Sequence, residues 1–291
     1  MPVARTMAFA LALGLAACSS APKATSGTRP IDVVTTISTF NSMVQAVGGN
    51  RVQVKSLVPV GASPETYQPT PQDVATLSQA ALLVENGAGL ETWLAKTIAN
   101  VKSKSLRVVV ASDGLRVKNQ NPHLWMDPVY AKHYAFEIRD GLIMIDPQHG
   151  DFYRKNARAY VVALDRLRAS IARRIDMIPP SRRYMIVFHN AWQYYNDRFG
   201  ITSLGFIEAN PGQDPNPQQV AQLIGLARAH QVPAIFSEPE YSAKIARQIA
   251  SSANIKVVDN LYDDSIGTDP RVSTYIGMLN YDTDVIVRAL R

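Results

Sequence analysis

The chain has 291 residues, of which 46% are hydrophobic and 19% are charged, and this composition is typical of a globular protein. Its formal net charge is +6, but no segment interleaves aromatic with basic residues as nucleic-acid-binding surfaces do, so we interpret the excess as a scattered basic surface and expect no nucleic-acid partner. Cys18 is the single cysteine, which excludes an internal disulfide.

The first residues predict a targeting segment rather than part of the fold. Arg5 supplies a short positive region, and the apolar run that follows it at residues 7–15 is too short to span a bilayer. Small residues directly before Cys18 resemble a bacterial lipobox, so we predict a lipoprotein signal peptide at residues 1–17 and a lipid anchor on Cys18. The alternative is an ordinary secretory signal with a chance cysteine. Residues 18–30, rich in Ser, Thr, Ala, Gly and Pro, predict a flexible tether to a membrane, facing the periplasm or the cell exterior.

Short apolar runs alternate with helical patterns over residues 31–147. This alternation predicts βαβ units, a mainly parallel sheet and a first α/β lobe. The predicted strands are 31–37, 52–60, 81–85 and 107–111, and the predicted helices are 40–47, 71–80, 90–101 and 128–143.

A long helical pattern follows at residues 151–178, without an internal Gly or Pro. Its apolar residues recur at spacings of three and four, and Pro179 and Pro180 end it. A helix of that length is unusual in a small globular domain. We predict that residues 148–180 form a spine connecting two halves of the molecule.

The alternation resumes in residues 181–291 and predicts a second α/β lobe. The fold class expected is therefore α/β, with two similar lobes of mainly parallel sheet joined by one long spine helix. The predicted strands are 183–188, 203–207, 234–237 and 256–258, and the predicted helices are 191–199, 218–230, 243–253 and 275–291.

Four side chains follow apolar runs or lie in the loops after them: Glu65, His123, His189 and Asp264. In parallel sheets, ligands bind beyond the carboxyl ends of the strands, so we expect these four to meet in the cleft between the lobes. Two imidazoles and two carboxylates can hold a divalent ion and balance its charge, and this mixed set suits Mn, Fe or Zn better than Cu(I).

Other polar residues compete for a place near this site. Glu208 is a rival carboxylate, Asp263 adjoins Asp264, and Asp127 is either a residue supporting the ligands or a helix N-cap. We expect His133, His149 and His230 to lie on helical or helix-flanking surfaces, and Trp125, Trp192 and Tyr194 to pack around the site.

Five stretches carry a resemblance to the TroA-like metal-binding lipoproteins of bacterial ABC importers for Mn, Zn or Fe. The resemblance runs from about residue 31 to the C-terminus. It implies two lobes bridged by a long helix, one divalent ion bound as cargo, delivery to an ABC transporter permease, no enzymatic activity and a monomer. The stretches are residues 86–93, 121–128 (Asn-Pro-His-Leu-Trp-Met-Asp-Pro), 188–195, 261–266 and 275–280.

The chain departs from that family at the first expected ligand. Where the family usually has Asp-Pro-His-x-Tyr, residues 63–67 read Ser-Pro-Glu-Thr-Tyr, so Glu65 occupies the histidine position. A bidentate carboxylate supports coordination numbers above four, which favours Mn(II) or Fe(II). The histidine-rich loop of many zinc-specific members is also absent between residues 112 and 121.

Three other functions stay open at this point. A metal-dependent hydrolase would use three ligands and a water if Glu65 does not ligate. A metal-free adhesin or scaffold would keep the fold without the ion. An organic-solute binder is a third, although a long spine helix should limit the hinge closure that such proteins use.

Overall fold

The computed structural model describes Met1 and residues 29–291. The predicted signal peptide, the lipidation site at Cys18 and nearly all of the tether lie outside the described residues. Within the part of the chain that is described, no helix combines the length and the apolar character needed to cross a membrane.

The first lobe is a four-stranded parallel sheet in the order β2-β1-β3-β4. Three consecutive residues of each central strand are buried, 33–35 in β1 and 82–84 in β3, which explains the short apolar runs there. The strands are β1 (Ile31–Thr35), β2 (Val52–Ser56), β3 (Leu82–Glu85) and β4 (Arg107–Val110), and the helices are α1 (Ser38–Gly48), α2 (Pro71–Gln79), α3 (Leu94–Ala99) and α4 (Pro128–Ile145).

The spine helix α5 (Gly150–Ile175) has 26 residues and is about 39 Å long. One face of it is buried, and it packs against α1 and α4 of the first lobe and α9 (Tyr275–Leu290) at the end of the second. The predicted helix at 151–178 is therefore confirmed, although its last three residues form turns instead. The lobe boundaries at 147 and 181 stay predictions.

The second lobe repeats the topology of the first: its parallel sheet has the order β6-β5-β7-β8. The two-lobed α/β fold expected from the sequence is thus confirmed. The strands are β5 (Tyr184–Val187), β6 (Thr202–Phe206), β7 (Ala234–Phe236) and β8 (Lys256–Val258), and the helices before α9 are α6 (Gln193–Phe199), α7 (Pro217–Ala229) and α8 (Lys244–Ala253).

Two predicted boundaries in the first lobe are wrong for local reasons. The strand predicted at 52–60 ends at Ser56, because the chain turns at Pro59, whose carbonyl accepts a hydrogen bond from Ala62 N at 3.1 Å. The helix predicted from residue 90 begins at Leu94. Before it, Gly87 adopts a φ of 77°, and the Glu91 carboxylate accepts hydrogen bonds from the backbone there, so turns replace the first helical turn.

Candidate metal centre

The four predicted donors come together between the lobes. The Nε2 atoms of His123 and His189 lie 3.3 Å apart. Asp264 places Oδ1 at 3.5 Å from Nε2 of His123 and Oδ2 at 3.7 Å from Nε2 of His189. Glu65 has a carboxylate oxygen within 4.8 Å of ring nitrogens of both histidines. A cavity of about 160 Å³, lined by Glu65, His123 and His189, opens from this cluster.

The Asp264 carboxylate is buried without a hydrogen-bond donor. Asp264 is 1% exposed, and neither of its carboxylate oxygens has a hydrogen-bond partner in the described structure. Burial raises the pKa of Asp264, but the neighbouring imidazoles of His123 and His189 outweigh that effect and hold the pKa below its usual value. A buried, ionised carboxylate needs a positive charge beside it, which the two imidazoles supply when protonated and a bound metal ion can supply in their place.

Asn121 orients the His123 ring. Its side-chain oxygen accepts a hydrogen bond from the His123 backbone N–H at 2.9 Å and lies 3.0 Å from Nδ1 of the same residue. Because its amide nitrogen donates to the carbonyl of Asn190, the oxygen must face the imidazole. Nδ1 therefore carries a ring proton, and Nε2 is the nitrogen that faces the cluster.

Glu238 orients the His189 ring in the same way. This buried carboxylate, two residues beyond β7, is hydrogen-bonded through Oε2 to Nδ1 of His189, which leaves Nε2 towards His123. Burial would lower the pKa of His189, but the carboxylates of Glu238, Asp263 and Asp264 raise it well above its usual value. Glu238 was missed from the sequence: its place just after a strand indicates the ligand-binding end of the sheet, but does not show which nearby carboxylate faces His189.

Glu65 lies half-buried on the long loop between β2 and α2. Trp93 donates its indole N–H to the carbonyl of Pro64 at 2.8 Å, and Gly61 N donates to the hydroxyl of Ser265 at 3.3 Å. The loop is thus held by Trp93, directly before α3, and by the Asp264 loop of the other lobe. Burial raises the pKa of Glu65, while the charge of His123 opposes that rise.

The first lobe also holds the Asp264 loop in place. The carbonyl oxygen of Asp263 accepts hydrogen bonds from the Trp125 indole at 3.0 Å and from the Thr39 hydroxyl at 3.2 Å. The backbone N–H of Ile266 donates to the Ser38 hydroxyl at 3.1 Å. The fourth donor is therefore positioned by side chains from the opposite lobe.

The two rival carboxylates differ in position. Glu208 lines the cavity, and its Oε1 accepts a hydrogen bond from Gly212 N, while Oε2 is buried and has no partner among the described residues. Asp127 caps α4, accepting from Val129 N at 2.8 Å, and pairs with Arg198 at 2.7 Å. Asp127 does not line the cavity, so of its two predicted roles the structure shows the N-cap.

The remaining histidines lie away from the cluster. His133 contacts the Asp113 carbonyl, His149 pairs with Asp146, and His230 packs on Tyr184. The aromatic residues predicted to pack around the site are buried: they are Trp125, Trp192 and Tyr194.

The chain resembles a consistent group of known proteins. Residues 33–289 match the family ZnuA, described as the periplasmic component A of a zinc-uptake complex. The chain is 32% identical over 264 residues to the iron-binding protein YfeA of Yersinia pestis, covering 88% of this chain and 85% of that protein. It is 30% identical over 296 residues to the manganese ABC transporter substrate-binding lipoprotein PsaA of Streptococcus pneumoniae, covering 97% and 96%.

Solved structures show the same similarity. The Mn-bound periplasmic metal-binding protein of Candidatus Liberibacter asiaticus aligns with a TM-score of 0.80 at 28% identity, covering 90% of this chain and all of that one. The Cd-bound form of that protein aligns with a TM-score of 0.81 at the same identity and coverage.

Proposed function

The chain belongs to the ZnuA family of periplasmic metal-uptake components, and we propose that it holds one divalent ion between Glu65, His123, His189 and Asp264 as the solute-binding protein of an ABC importer. The resemblance stated from the sequence is therefore confirmed. Relatives are named for manganese, iron or zinc, which is the range of cargo expected from the donor set.

The observation that carries this proposal is the buried Asp264 carboxylate facing two imidazole nitrogens. A tetrahedral ion with bonds of about 2.1 Å keeps its ligand atoms about 3.4 Å apart. The separations among Nε2 of His123, Nε2 of His189 and the Asp264 oxygens are 3.3, 3.5 and 3.7 Å. Three of the four proposed donors are thus spaced for one small cation, and Glu65 has an oxygen within 4.8 Å of both histidines.

The size of the cavity argues against an organic ligand and against hydrolysis. Its volume of about 160 Å³ is well below the roughly 300 Å³ at which pockets for small organic molecules begin. A hydrolase would need room for a substrate beside the metal-bound water. We therefore propose that the chain is not an enzyme, and no observation favours the metal-free scaffold.

The remaining parts of the proposal concern the place and the partners of the protein. Relatives named as lipoproteins of ABC transporters support a lipid anchor on Cys18, export from the cytoplasm and delivery of the ion to a membrane permease. We propose that the chain works as a monomer, since both lobes of one chain supply the donors.

Glu65 bears on the choice of metal. A carboxylate that binds through two oxygens suits Mn(II) or Fe(II), whereas a nitrogen ligand would suit Zn(II) better. Zn(II) still gains from the general order of affinities among divalent ions, so tight binding of zinc in solution would not by itself identify the cargo.

Anaerobic equilibrium dialysis of the metal-stripped protein against equal Mn(II), Fe(II) and Zn(II) tests the proposal, with bound metal counted by elemental analysis. We expect one ion per chain, and its loss in Asp264→Asn and weaker retention in Glu65→Ala. Asp259→Asn, at an exposed position, is the matched control and should bind as the unaltered protein does. A chain that binds no ion would refute the transport function, and an unchanged Glu65→Ala would reduce the site to three ligands.

A further inference from the structure

The outer face of α5 carries a row of basic side chains. They are spaced at three, eight and seven residues, so they recur on one side of a helix with 3.6 residues per turn. All of them are exposed. We call them the basic stripe: Lys155, Arg158, Arg166 and Arg173.

The basic stripe lies opposite the buried face of the helix. The buried face consists of residues recurring at three and four, and it packs on both lobes. A projection of 100° per residue places the centre of the stripe about 180° from the centre of that buried face. The stripe runs about 27 Å along the molecule from Lys155 to Arg173. The buried residues are Gly150, Tyr153, Ala157, Tyr160, Leu164, Leu167, Ile171 and Ile175.

No carboxylate of the described chain neutralises the basic stripe. None of its four members makes an ion pair there, because the acidic residues of α5 and the turn after it are paired with other cations at 2.9–3.4 Å. Four unpaired cations on one face produce a positive surface that attracts anions. The occupied pairs are Asp151–Arg154, Asp165–Lys132 and Asp176–Arg183.

Apolar side chains accompany these charges. Val162, which projects between the second and third members of the stripe, is 49% exposed. Met177, in the turn after the helix, is 47% exposed. Binding of a helix to a membrane surface increases with the apolar area that it buries and with its attraction to anionic lipids, so these two side chains add to the effect of the charges.

The N-terminal end of α5 lies on the side of the first lobe where the tether joins β1. Asn156 donates to the carbonyl of Val47 at 3.0 Å, so the helix contacts the end of α1. The chain then enters β2 at Val52, which pairs with Ile31, the first residue of β1. From Cys18 to Pro30 the chain can reach about 40 Å at most, which is about the length of α5. The whole stripe is therefore within reach of the membrane that would carry the anchor.

We propose that the basic stripe seats the protein on the anionic lipid headgroups of the membrane to which Cys18 is anchored. The inference rests on the lipid anchor of the proposed function and adds an orientation to it. Each lysine or arginine at an anionic surface strengthens binding about fivefold, and the effect extends over about 10 Å at moderate salt. A tethered protein would therefore lie on the bilayer along α5 rather than move freely around its anchor.

This orientation leaves the metal centre accessible. The cavity is lined by residues of the loops around Glu65, His123, His189 and Glu208, and none of its lining residues belongs to α5. The seated protein can therefore still take up an ion from solution.

The test uses the full lipidated chain in vesicles of phosphatidylcholine, with or without phosphatidylglycerol. Because Cys18 is the single cysteine and its sulfur carries the lipid, Ala159→Cys provides one free thiol beside the stripe for an environment-sensitive fluorophore. Gln248→Cys, exposed on α8, provides a reference position. We expect a blue shift at position 159 in the anionic vesicles only, and its loss at about 1 M salt, where screening acts within about 3 Å.

A quadruple variant changes each member of the stripe to Gln, and a matched control removes four exposed cations of the second lobe. The stripe variant should lose the blue shift, with binding weakened about fivefold per charge, while the control variant keeps it. Equal signals in both vesicle types, or equal losses in both variants, would overturn the proposal. A stripe variant that impairs metal uptake in cells without a lipid effect would assign the stripe to an acidic protein partner instead, which also overturns it. The control changes are Lys244→Gln, Arg247→Gln, Lys256→Gln and Arg288→Gln.

Two further measurements separate this proposal from the proposed function. Metal bound per chain should be the same in the stripe variant and the unaltered protein, because the stripe lies outside the metal centre. Retention of the protein on vesicles at about 1 M salt reports the lipid anchor alone, since screening removes surface charge effects at that salt. An unaltered protein without bound metal would count against the proposed function, and loss of the protein from the vesicles at that salt would count against the lipid anchor. In either case the fluorescence comparison between the stripe variant and its control still decides the role of the stripe.

Discussion

Trp93 donates its indole N–H to the carbonyl oxygen of Pro64, the residue directly before Glu65, over 2.8 Å. The Trp93 ring also meets the Tyr67 ring edge to face, with centroids 5.2 Å apart. The indole therefore contacts the loop on both sides of Glu65, at Pro64 and at Tyr67. Trp93, the last residue of the stretch 86–93, therefore has a structural role: it positions the Glu65 loop.

Trp93→Phe should weaken metal binding while the protein stays folded. The phenyl ring keeps a contact with Tyr67 but cannot donate to Pro64, so the Glu65 carboxylate becomes less well positioned. We expect a loss of about tenfold or less in affinity, corresponding to one hydrogen bond of about 1 kcal/mol. Isothermal titration with Mn(II) measures it, and an unchanged affinity would show that the loop is held by other contacts.

Glu65→His should change the preference between metals rather than abolish binding. A third imidazole replaces carboxylate oxygens with one nitrogen, which favours Zn(II) over Mn(II). Competition dialysis of the variant against both ions should therefore give a higher zinc-to-manganese ratio than the unaltered protein. The same ratio in both proteins would mean that residue 65 does not contact the ion.

Glu238→Gln tests the positioning of His189. The amide oxygen can still accept from Nδ1, but the negative charge that strengthens the imidazole as a ligand is lost. Changes to such supporting groups typically cost 10–100-fold in metal affinity, and we expect a loss in that range. Glu137→Gln is the matched control, because Glu137 also faces a histidine, His133, at 3.6 Å but lies outside the site. Equal affinities in the two variants would contradict the positioning role.

Metal affinity should fall as the pH drops, starting above pH 6.5. The pKa of His189 in the metal-free protein is raised above its ordinary value of 6.5 by the surrounding carboxylates, although burial opposes this. Below that raised pKa, protons compete with the ion for His189. The apparent metal affinity should then fall by up to about tenfold per pH unit. In Glu238→Gln one of those carboxylates is gone, so the fall should begin at a lower pH. Titrations across the pH range check both curves.

Asp146→Asn should destabilise the fold at neutral pH. Arg51 donates to the Asp146 carboxylate at 3.1 Å and Tyr153 at 2.6 Å. Burial would raise the pKa of Asp146, but these partners and His149 lower it from 3.8 to about 2. The carboxylate thus adds stability that is complete above pH 3.8 and is lost as the pH falls through about 2.

Chemical denaturation at pH 7 should show a loss of about 2 kcal/mol in the free energy of unfolding of Asp146→Asn. The difference in unfolding free energy between the two proteins should shrink as the pH falls below 3.8, the pKa of Asp146 in the unfolded chain. It should vanish near about 2, the pKa of Asp146 in the folded protein. Asp151→Asn is a suitable control, because Asp151 pairs with Arg154 in solvent and should contribute less than about 1 kcal/mol. A difference that stays constant with pH would point to packing rather than charge.

The order of helices and strands could be predicted because buried parallel strands and amphipathic helices leave different periodic patterns. The spine helix is the strongest case, since its apolar residues recur over seven turns. Boundaries set by side-chain hydrogen bonds could not be predicted. The start of α3 depends on the Glu91 carboxylate accepting from Asn86 N and Gly87 N, which no local periodicity reveals.

The meeting of the four donors could be expected because each follows a strand whose carboxyl end faces the cleft. Glu238 could not be identified in the same way. It shares that end of the second lobe with Glu240 and Asp263, and the sequence does not show which carboxylate faces an imidazole. Only the folded chain separates them: Glu238 bonds His189, whereas Glu240 bonds Ser265.

The two sheets share one strand order, β2-β1-β3-β4 in the first lobe and β6-β5-β7-β8 in the second. Such a repeat is what duplication of an ancestral half would leave, and each half supplies two of the four proposed donors. Neither half alone holds the full set of proposed donors, so the site depends on the two lobes being joined. The donor set can therefore be altered in one half while the other half stays unchanged, and the variant Glu65→His makes a change of that kind.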